Sequence, residues 1–225
     1  MINVFLPIRK GSERVKFKNT KTFSSIDGGL TKIKLSQLIK VKQIDKIYVS
    51  TNDQVVKDLA RSFNSSKIII DNRPDYLGSS EASTDDIINY VPKIISKGVV
   101  VWTHVTSPFV DEYVYENAIT QYLSSNGSYD SLMTVTSLQK FIWKNGESFN
   151  YDRALEKWPR TQTLDMLYEV NSGIFIADIN IYKKLNDRIG ENPFLYEISG
   201  KKAFDIDWND DFEIAEILWA KYGYL

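Results

Sequence analysis

Arg9, Lys10, Arg14, Lys16 and Lys18 stand in one short loop with Gly11, Ser12 and Asn19, directly behind the apolar run Asn3 to Ile8. Glycine lets backbone N–H groups approach an anion, serine adds a donor and the cations neutralise charge, so this composition suits a polyphosphate. The spacing is neither G-x-x-x-x-G-K-[ST] nor G-x-G-x-x-G, which weakens the P-loop and dinucleotide readings. A solvated basic loop is the plainer alternative. Near the other end stands Phe204-Asp205-Ile206-Asp207-Trp208. In an extended segment residues i and i+2 share a side, so the two carboxylates can converge on one cation while Phe204, Ile206 and Trp208 face the other way. Magnesium takes hard oxygen ligands, commonly one or two carboxylates completed by phosphates, and this pair fits such a metal-nucleotide site. The alternative is a polar strand face, with Asp210 and Asp211 supporting a helix N-terminus.

Three further segments carry polar groups. Thr106-Ser107-Pro108 follows the most convincing central strand, Gly98 to Trp102, where hydroxyls can hold a base, a ribose or an acceptor, or simply shape a turn. His104, the only histidine, lies just before them and is either a catalyst or a hydrogen-bonded structural residue. Arg73-Pro74 and Ser83-Thr84-Asp85-Asp86 form a loop leading into a helix, and Arg160, Gln162, Tyr168 and Asn171 precede a strand.

Composition bounds what these groups can do. The 225 residues are 43% apolar and 25% charged, enough for a buried core and consistent with one domain over 1–225. With no cysteine and one histidine, disulfides, thiolate metal sites and histidine-rich metal motifs are excluded. The net charge of −1 conceals an asymmetry. Residues 1–42 hold ten Lys or Arg against Glu13 and Asp27, a balance of +8 that leaves −9 for the rest. A small anionic ligand near the N-terminus suits this pattern better than a nucleic-acid polymer. No export signal or membrane-spanning run is legible, so the expectation is a cytoplasmic protein.

The elements that must position these residues alternate. Asn3 to Ile8, Lys46 to Ser50, Lys67 to Ile70, Gly98 to Trp102, Leu132 to Val135 and Ser172 to Ala177 have strand character. Between them Leu35, Leu38 and Ile39, then Val55 to Phe63, Ile87 to Ile95 and Val114 to Leu123 recur at helical spacing, and Asn209 to Tyr222 closes the chain as an amphipathic helix. This order predicts an α/β fold, a mostly parallel Rossmann-like sheet with helices on both faces and ligands at the carboxyl ends of its strands. Residues 141–170 break the pattern with Trp143, Phe149, Tyr151 and Trp158, and are expected to form a lid, a dimerisation arm, or both.

Taken together, these segments resemble the acylneuraminate cytidylyltransferase family. Leu6-Pro7-Ile8-Arg9-Lys10-Gly11-Ser12-Glu13-Arg14-Val15-Lys16-Phe17-Lys18-Asn19 aligns with that family's opening I-P-A-R-G-G-S-K-G-I-P-x-K-N. Val49-Ser50-Thr51-Asn52, Arg73-Pro74-x-x-Leu77, Thr106-Ser107-Pro108, Arg160-x-Gln162 through Tyr168-x-x-Asn171, and Asp205-Ile206-Asp207-x-x-x-Asp211-Phe212-x-x-Ala215 follow in the family's order. The opening is also similar to that of the CMP-Kdo synthetases. The resemblance implies transfer of CMP from CTP to an acidic small molecule, with release of pyrophosphate, in surface glycan or capsule biosynthesis. It implies that Arg9, Ser12, Lys18 and Asn19, with Gly11, bind the CTP phosphates, that Arg73, Ser83 and Thr106 lie near the nucleotide, and that Asp205 and Asp207 bind Mg2+. Arg9, Lys18 and Asp207 are the residues it places at the reaction, and a homodimer is its expected assembly.

The acceptor side departs from the family pattern. His104 replaces a glutamine, Thr161 an arginine, and Asn171-Ser172-Gly173 stands for N-G-A. The acceptor residues are therefore expected among His104, Ser107, Gln162, Tyr168 and Asn171. The acceptor itself is open between a sugar acid and a phosphorylated molecule such as phosphoglutamine, the acceptor of a divergent branch. Two other functions compete: a metal-dependent glycosyltransferase, which also uses Asp-x-Asp, and a non-catalytic nucleotide-binding relative.

Overall fold

A computed structural model describes residues 1–12 and 14–222; Glu13 of the basic loop and residues 223–225 lie outside the described residues. The elements run β1 (Ile2–Pro7), α1 (Gly29–Lys40), β2 (Lys46–Thr51), α2 (Gln54–Ser62), β3 (Ile68–Asn72), α3 (Asp75–Gly78), α4 (Thr84–Ile94), β4 (Val99–Thr103), α5 (Glu112–Ser124), β5 (Ser131–Leu138), β6 (Trp143–Lys144), β7 (Glu147–Ser148), β8 (Leu167–Asp178), α6 (Ile179–Leu185), β9 (Pro193–Glu197) and α7 (Asn209–Tyr222). Seven strands form one sheet in the order β3-β2-β1-β4-β8-β5-β9. β1 to β4 are mutually parallel where they pair, β5 and β9 are parallel, and β8 runs antiparallel to both β4 and β5.

Strand alternation builds two cores. Val4 and Leu6 of β1, Val101 of β4 and Ile174 and Ile176 of β8 face α1, α2, α5 and α7, whereas Phe5, Val100, Trp102, Phe175 and Ala177 face α4 and α6. Burial of both faces explains why β1 and β4 read as continuous apolar runs. The helices begin where the sequence supplies caps: Asp53, Ser83, Asp111 and Asp178 each accept a backbone N–H of the first turn. Pro92 falls in the last turn of α4, where the helix ends two residues later.

Two expectations are corrected. The irregular segment does not run to Val170, because Leu167–Asp178 is one continuous strand. It leaves the sheet at the end of β5 and comprises the β6–β7 hairpin and a turn of 3-10 helix at Thr161–Thr163. Asn150 holds its base together, accepting from Ile142 N–H and donating to the carbonyls of Lys140 and Asp165. The second correction concerns residues 204–208, which form a connection between Gly200–Ala203 and α7 and no strand. Ile206 is buried there as expected, but Trp208 is exposed under the Arg14 guanidinium.

A buried lysine fixes the loop after β4. The Lys34 ammonium donates to the carbonyls of Ser107 and Val110 and to the Tyr115 hydroxyl, each at 2.9 Å. Lys34→Met leaves the Val110 carbonyl without its partner, while the Ser107 carbonyl keeps the Val110 N–H, and is expected to lower the free energy of unfolding by about 2 kcal/mol. Urea denaturation against the parent protein measures it.

Candidate active site

β1, β2 and β4 end on the same side of the sheet, and the loops behind them enclose a cleft of about 620 Å³. Arg9, Ser12, Lys18, Asn19, Arg73, Ser83, His104, Thr106, Asp205 and Asp207 line it, so ten expected residues from both ends of the chain converge on one volume. Gly11 stands between two of them and supplies a left-handed turn at φ +74°, although its own atoms do not form the wall.

The basic loop is folded onto the acidic pair. Lys18 is buried and donates to the Ile206 carbonyl at 2.6 Å, with its ammonium 3.8 Å from Asp207 Oδ1. Arg14 Nη1 lies 3.0 Å from the same oxygen. Asn19 ties the loop back, donating to the Arg9 carbonyl at 3.2 Å, while its own carbonyl accepts from the Thr31 hydroxyl at 2.8 Å. On the facing side Ile206 N–H donates to the Thr106 carbonyl at 2.9 Å, which sets the two carboxylates beside the loop after β4. Burial pushes the Asp205 carboxyl above the usual carboxylate range, opposed by a hydrogen bond from the Thr106 side chain and by Lys18. Burial likewise lowers the Lys18 ammonium, and Asp207 and Asp205 pull it back up.

The chemistry of this donor set fits a magnesium ion. Asp205 and Asp207 give hard oxygens on one wall, and among the described residues no group of three or more His, Cys, Asp and Glu side chains gathers to complete an all-protein cage. Two carboxylates with remaining positions left to phosphates and water are what this ion commonly takes.

Arg73 and Ser83 form the wall beyond β2 and β3. Arg73 is buried, and its Nε and Nη2 donate to the Ser50 hydroxyl (3.1 Å) and carbonyl (2.8 Å). Burial lowers its guanidinium to about 10, so it stays charged at neutral pH. Ser83 opens α4 in a reciprocal cap: Asp86 N–H donates to its hydroxyl at 3.1 Å and its own N–H to the Asp86 carboxylate at 2.9 Å.

His104 is held neutral. Trp102 Nε1 donates to His104 Nε2 at 2.9 Å, so the ring proton sits on Nδ1. Burial, reinforced by Arg188, Lys34, Arg73 and Lys18, lowers the imidazole to about 3. A ring of this kind orients and donates; it is no proton acceptor at neutral pH. The unfolded chain protonates this histidine near 6.5 and the folded chain near 3, so the folded form holds fewer protons between those values and stability falls as pH drops through that window. His104→Gln, which keeps an acceptor for Trp102, is expected to remove a slope of up to about 1.4 kcal/mol per pH unit from the acid side of the stability profile. Urea midpoints measured through that window for both proteins check this.

The remaining acceptor candidates are elsewhere. Ser107 is buried behind the wall, its hydroxyl 3.5 Å from Asp205 Oδ1, and supports the site from outside the cleft. Gln162 lies on the exposed turn Thr161–Thr163, Tyr168 on the outer part of β8, and Asn171 donates to the Thr136 hydroxyl. None of the three lines this cleft. The reason is the path of β8: its pairing with β5 is interrupted between Met133 and Val135, Ser172 turns with φ 57°, and the strand before that point leaves with the outer ribbon. Two charged lining residues were not expected at the site, Arg14 and Arg188. Arg14 was legible as a cation of the basic loop; Arg188, in the link between α6 and β9, carries no motif.

The chain is similar to known cytidylyltransferases in sequence and in fold. An N-acylneuraminate cytidylyltransferase of Streptococcus agalactiae serotype V is 23% identical over 221 residues, covering 92% of this chain and 50% of the relative; a serotype III counterpart is 22% identical with the same coverage. The chain thus spans about half the length of the curated relatives it matches. Among solved structures, a CMP:2-keto-3-deoxy-manno-octonic acid synthetase complexed with CTP superimposes with a TM-score of 0.67 at 14% identity, covering 98% of each chain. A 4-diphosphocytidyl-2C-methyl-D-erythritol synthase from Anaerococcus prevotii gives 0.70 at 12% identity, over 97% of this chain and 96% of that one. These likenesses establish the Rossmann-like fold. Since the cytidylyltransferase family model matches residues 4–222, from the first strand to the end of α7 and through every wall of the cleft, the chain belongs to the cytidylyltransferase family.

Proposed function

We propose that this protein is a CTP-dependent cytidylyltransferase that transfers CMP to an acidic small molecule and releases pyrophosphate. The observation that carries this reading is the convergence in one cleft of the basic loop after β1 with the Asp205 and Asp207 carboxylates. Arg9, Ser12, Arg14 and Lys18 bind the triphosphate of CTP, the Gly11 turn lets the loop backbone approach it, and Asn19 keeps that loop closed. Arg73, Ser83 and Thr106 enclose the nucleotide. Asp205 and Asp207 hold Mg2+, which when bound supplies further neutralisation of the phosphoryl oxygens. An acceptor oxygen attacks the α-phosphorus; the bond to that phosphorus forms as the bond to the β-phosphate oxygen breaks, and pyrophosphate leaves with the electron pair. In-line placement and charge neutralisation govern such a step, and Lys18 and Arg9 stand where charge accumulates.

The acceptor is a sugar acid of the acylneuraminate type or a phosphorylated molecule such as phosphoglutamine, in surface glycan or capsule biosynthesis, and the enzyme works in the cytoplasm. The names of the similar proteins support the first class, and the departures at His104, Thr161 and Asn171-Ser172-Gly173 support the second. Incubation with CTP, magnesium and a panel of both classes, with pyrophosphate followed and products weighed by mass spectrometry, tests the reading. A CMP conjugate is the expected result, and CTP binding without turnover across the panel would favour a non-catalytic relative.

The working unit is a homodimer. Trp143, Phe149, Leu155 and Trp158 of the segment between β5 and β8 are exposed, and Gln162, Tyr168 and Asn171 on the same ribbon miss their own cleft. An apolar patch of this kind suits an interface between copies, which would bring those three polar side chains to the partner's site. Light scattering is expected to give twice the chain mass, and Trp158→Glu to give a monomer; a monomeric parent protein would defeat the idea.

A further inference from the structure

Arg188 is the one cleft arginine that neither the basic loop nor the resemblance accounts for. Its guanidinium lies over the Phe175 ring, 3.7 Å from the centroid, and over the Trp102 ring at 5.1 Å. Trp102 and Phe175 are register partners on β4 and β8, so the two rings rise from the same face of the sheet and the guanidinium lies over both. Among the described residues no carboxylate lies within ion-pair distance of Arg188, and no hydrogen bond engages its side chain. It is half-buried in the cleft wall, and burial lowers its pKa.

The link that carries it is tightly held. The Asp130 carboxylate accepts the N–H groups of Glu191 (2.7 Å) and Asn192 (3.1 Å), the Ser131 hydroxyl accepts that of Gly190 (2.8 Å), and a Cβ at Gly190 would come within 2.3 Å of Asp130. A pre-positioned guanidinium, stacked on rings and with no anion of its own, is a binding site for an oxyanion. The sheet order separates it from the phosphate end: the basic loop follows β1, whereas Arg188 lies across β4 and β8.

The geometry points to Arg188 as the residue that binds the acceptor's anionic group, carboxylate or phosphate, above the Trp102 and Phe175 rings. This assignment rests on the cytidylyltransferase reading for the word acceptor, and on the stacked guanidinium alone for the anion. It also accounts for the missing arginine at Thr161, since the charge that recognises the acceptor comes from this chain's own α6–β9 link.

Phenylglyoxal labelling mapped by mass spectrometry tests it without need of turnover. Millimolar inorganic phosphate or pyruvate is expected to slow labelling of Arg188 by about threefold, as at a site two-thirds occupied, with or without CTP and magnesium present. CTP with magnesium alone should protect Arg9 and Arg14 and leave Arg188 reactive. Protection by phosphate only, or by pyruvate only, decides between the two oxyanions. Protection of Arg188 by CTP, or by neither anion, overturns the assignment. Failure of CTP to protect Arg9 and Arg14 would instead strike the functional reading and leave the anion result standing. With an acceptor in hand, Arg188→Gln is expected to raise its KM by about 10²-fold while the KM for CTP stays within about twofold, and Arg188→Lys to recover part of the loss.

Discussion

Asp207→Asn is expected to reduce pyrophosphate release from CTP by about 10³-fold or more, the scale of about 4 kcal/mol of transition-state stabilisation, with no change in the unfolding midpoint. The side chain is 52% exposed, so its charge can be removed without opening a cavity. The sign of the effect on binding separates two roles. Asp207 faces Arg14 at 3.0 Å and Lys18 at 3.8 Å, and neutralising it leaves both cations without that partner. In the absence of magnesium the variant is therefore expected to bind CTP as well as the parent protein or more tightly, while magnesium no longer strengthens binding. If Asp207 served only to order Arg14, CTP affinity would fall without metal and turnover would drop modestly. Asp58→Asn, which breaks the exposed pair with Arg61, is the control and should change neither quantity.

What could be read in the sequence followed from how local each signal is. β1 and β4 are continuous apolar runs because both of their faces are buried, and the basic loop and the Asp-x-Asp pair announce their chemistry by residue type alone. The direction of β8 could not be read the same way, since an antiparallel strand entering a parallel sheet carries the same apolar run as a parallel one. Pro193–Glu197 was missed as a strand because it is short, begins with proline and pairs only at the sheet edge. Trp208 was assigned to the apolar side by alternation, but residues 204–208 lack a strand neighbour to enforce it, and the ring lies under Arg14 instead. Gln162, Tyr168 and Asn171 were placed at the site by motif order, which says nothing of the break in the β5–β8 pairing that carries them outward. Arg188 is the converse case. Its neighbours Trp102 and Phe175 lie 73 residues apart in the chain, and only strand pairing brings their rings together beneath it.

Lys18→Met carries the second large effect, because this ammonium joins the two halves of the site. It donates to the Ile206 carbonyl between the two aspartates and lies 3.8 Å from Asp207, while its backbone belongs to the loop that faces the phosphates. Removing it is expected to lower kcat by about 10²- to 10³-fold, the loss of one preorganised donor. Stability should fall by only about 1–2 kcal/mol, since the Ile206 carbonyl loses its partner but Ile206 N–H keeps Thr106. Arginine at this position should not rescue, because the site is buried and a guanidinium is larger than the amine it would replace. The pH profile gives an independent readout. Burial lowers the Lys18 ammonium from 10.5, with the aspartates partly restoring it, so the parent enzyme should lose activity as pH rises toward that value and the amine gives up its proton. In Lys18→Met that alkaline limb should be absent and the residual rate flat across it. An alkaline limb that persists in the variant would assign the ionisation to another group and leave Lys18 with a structural role only.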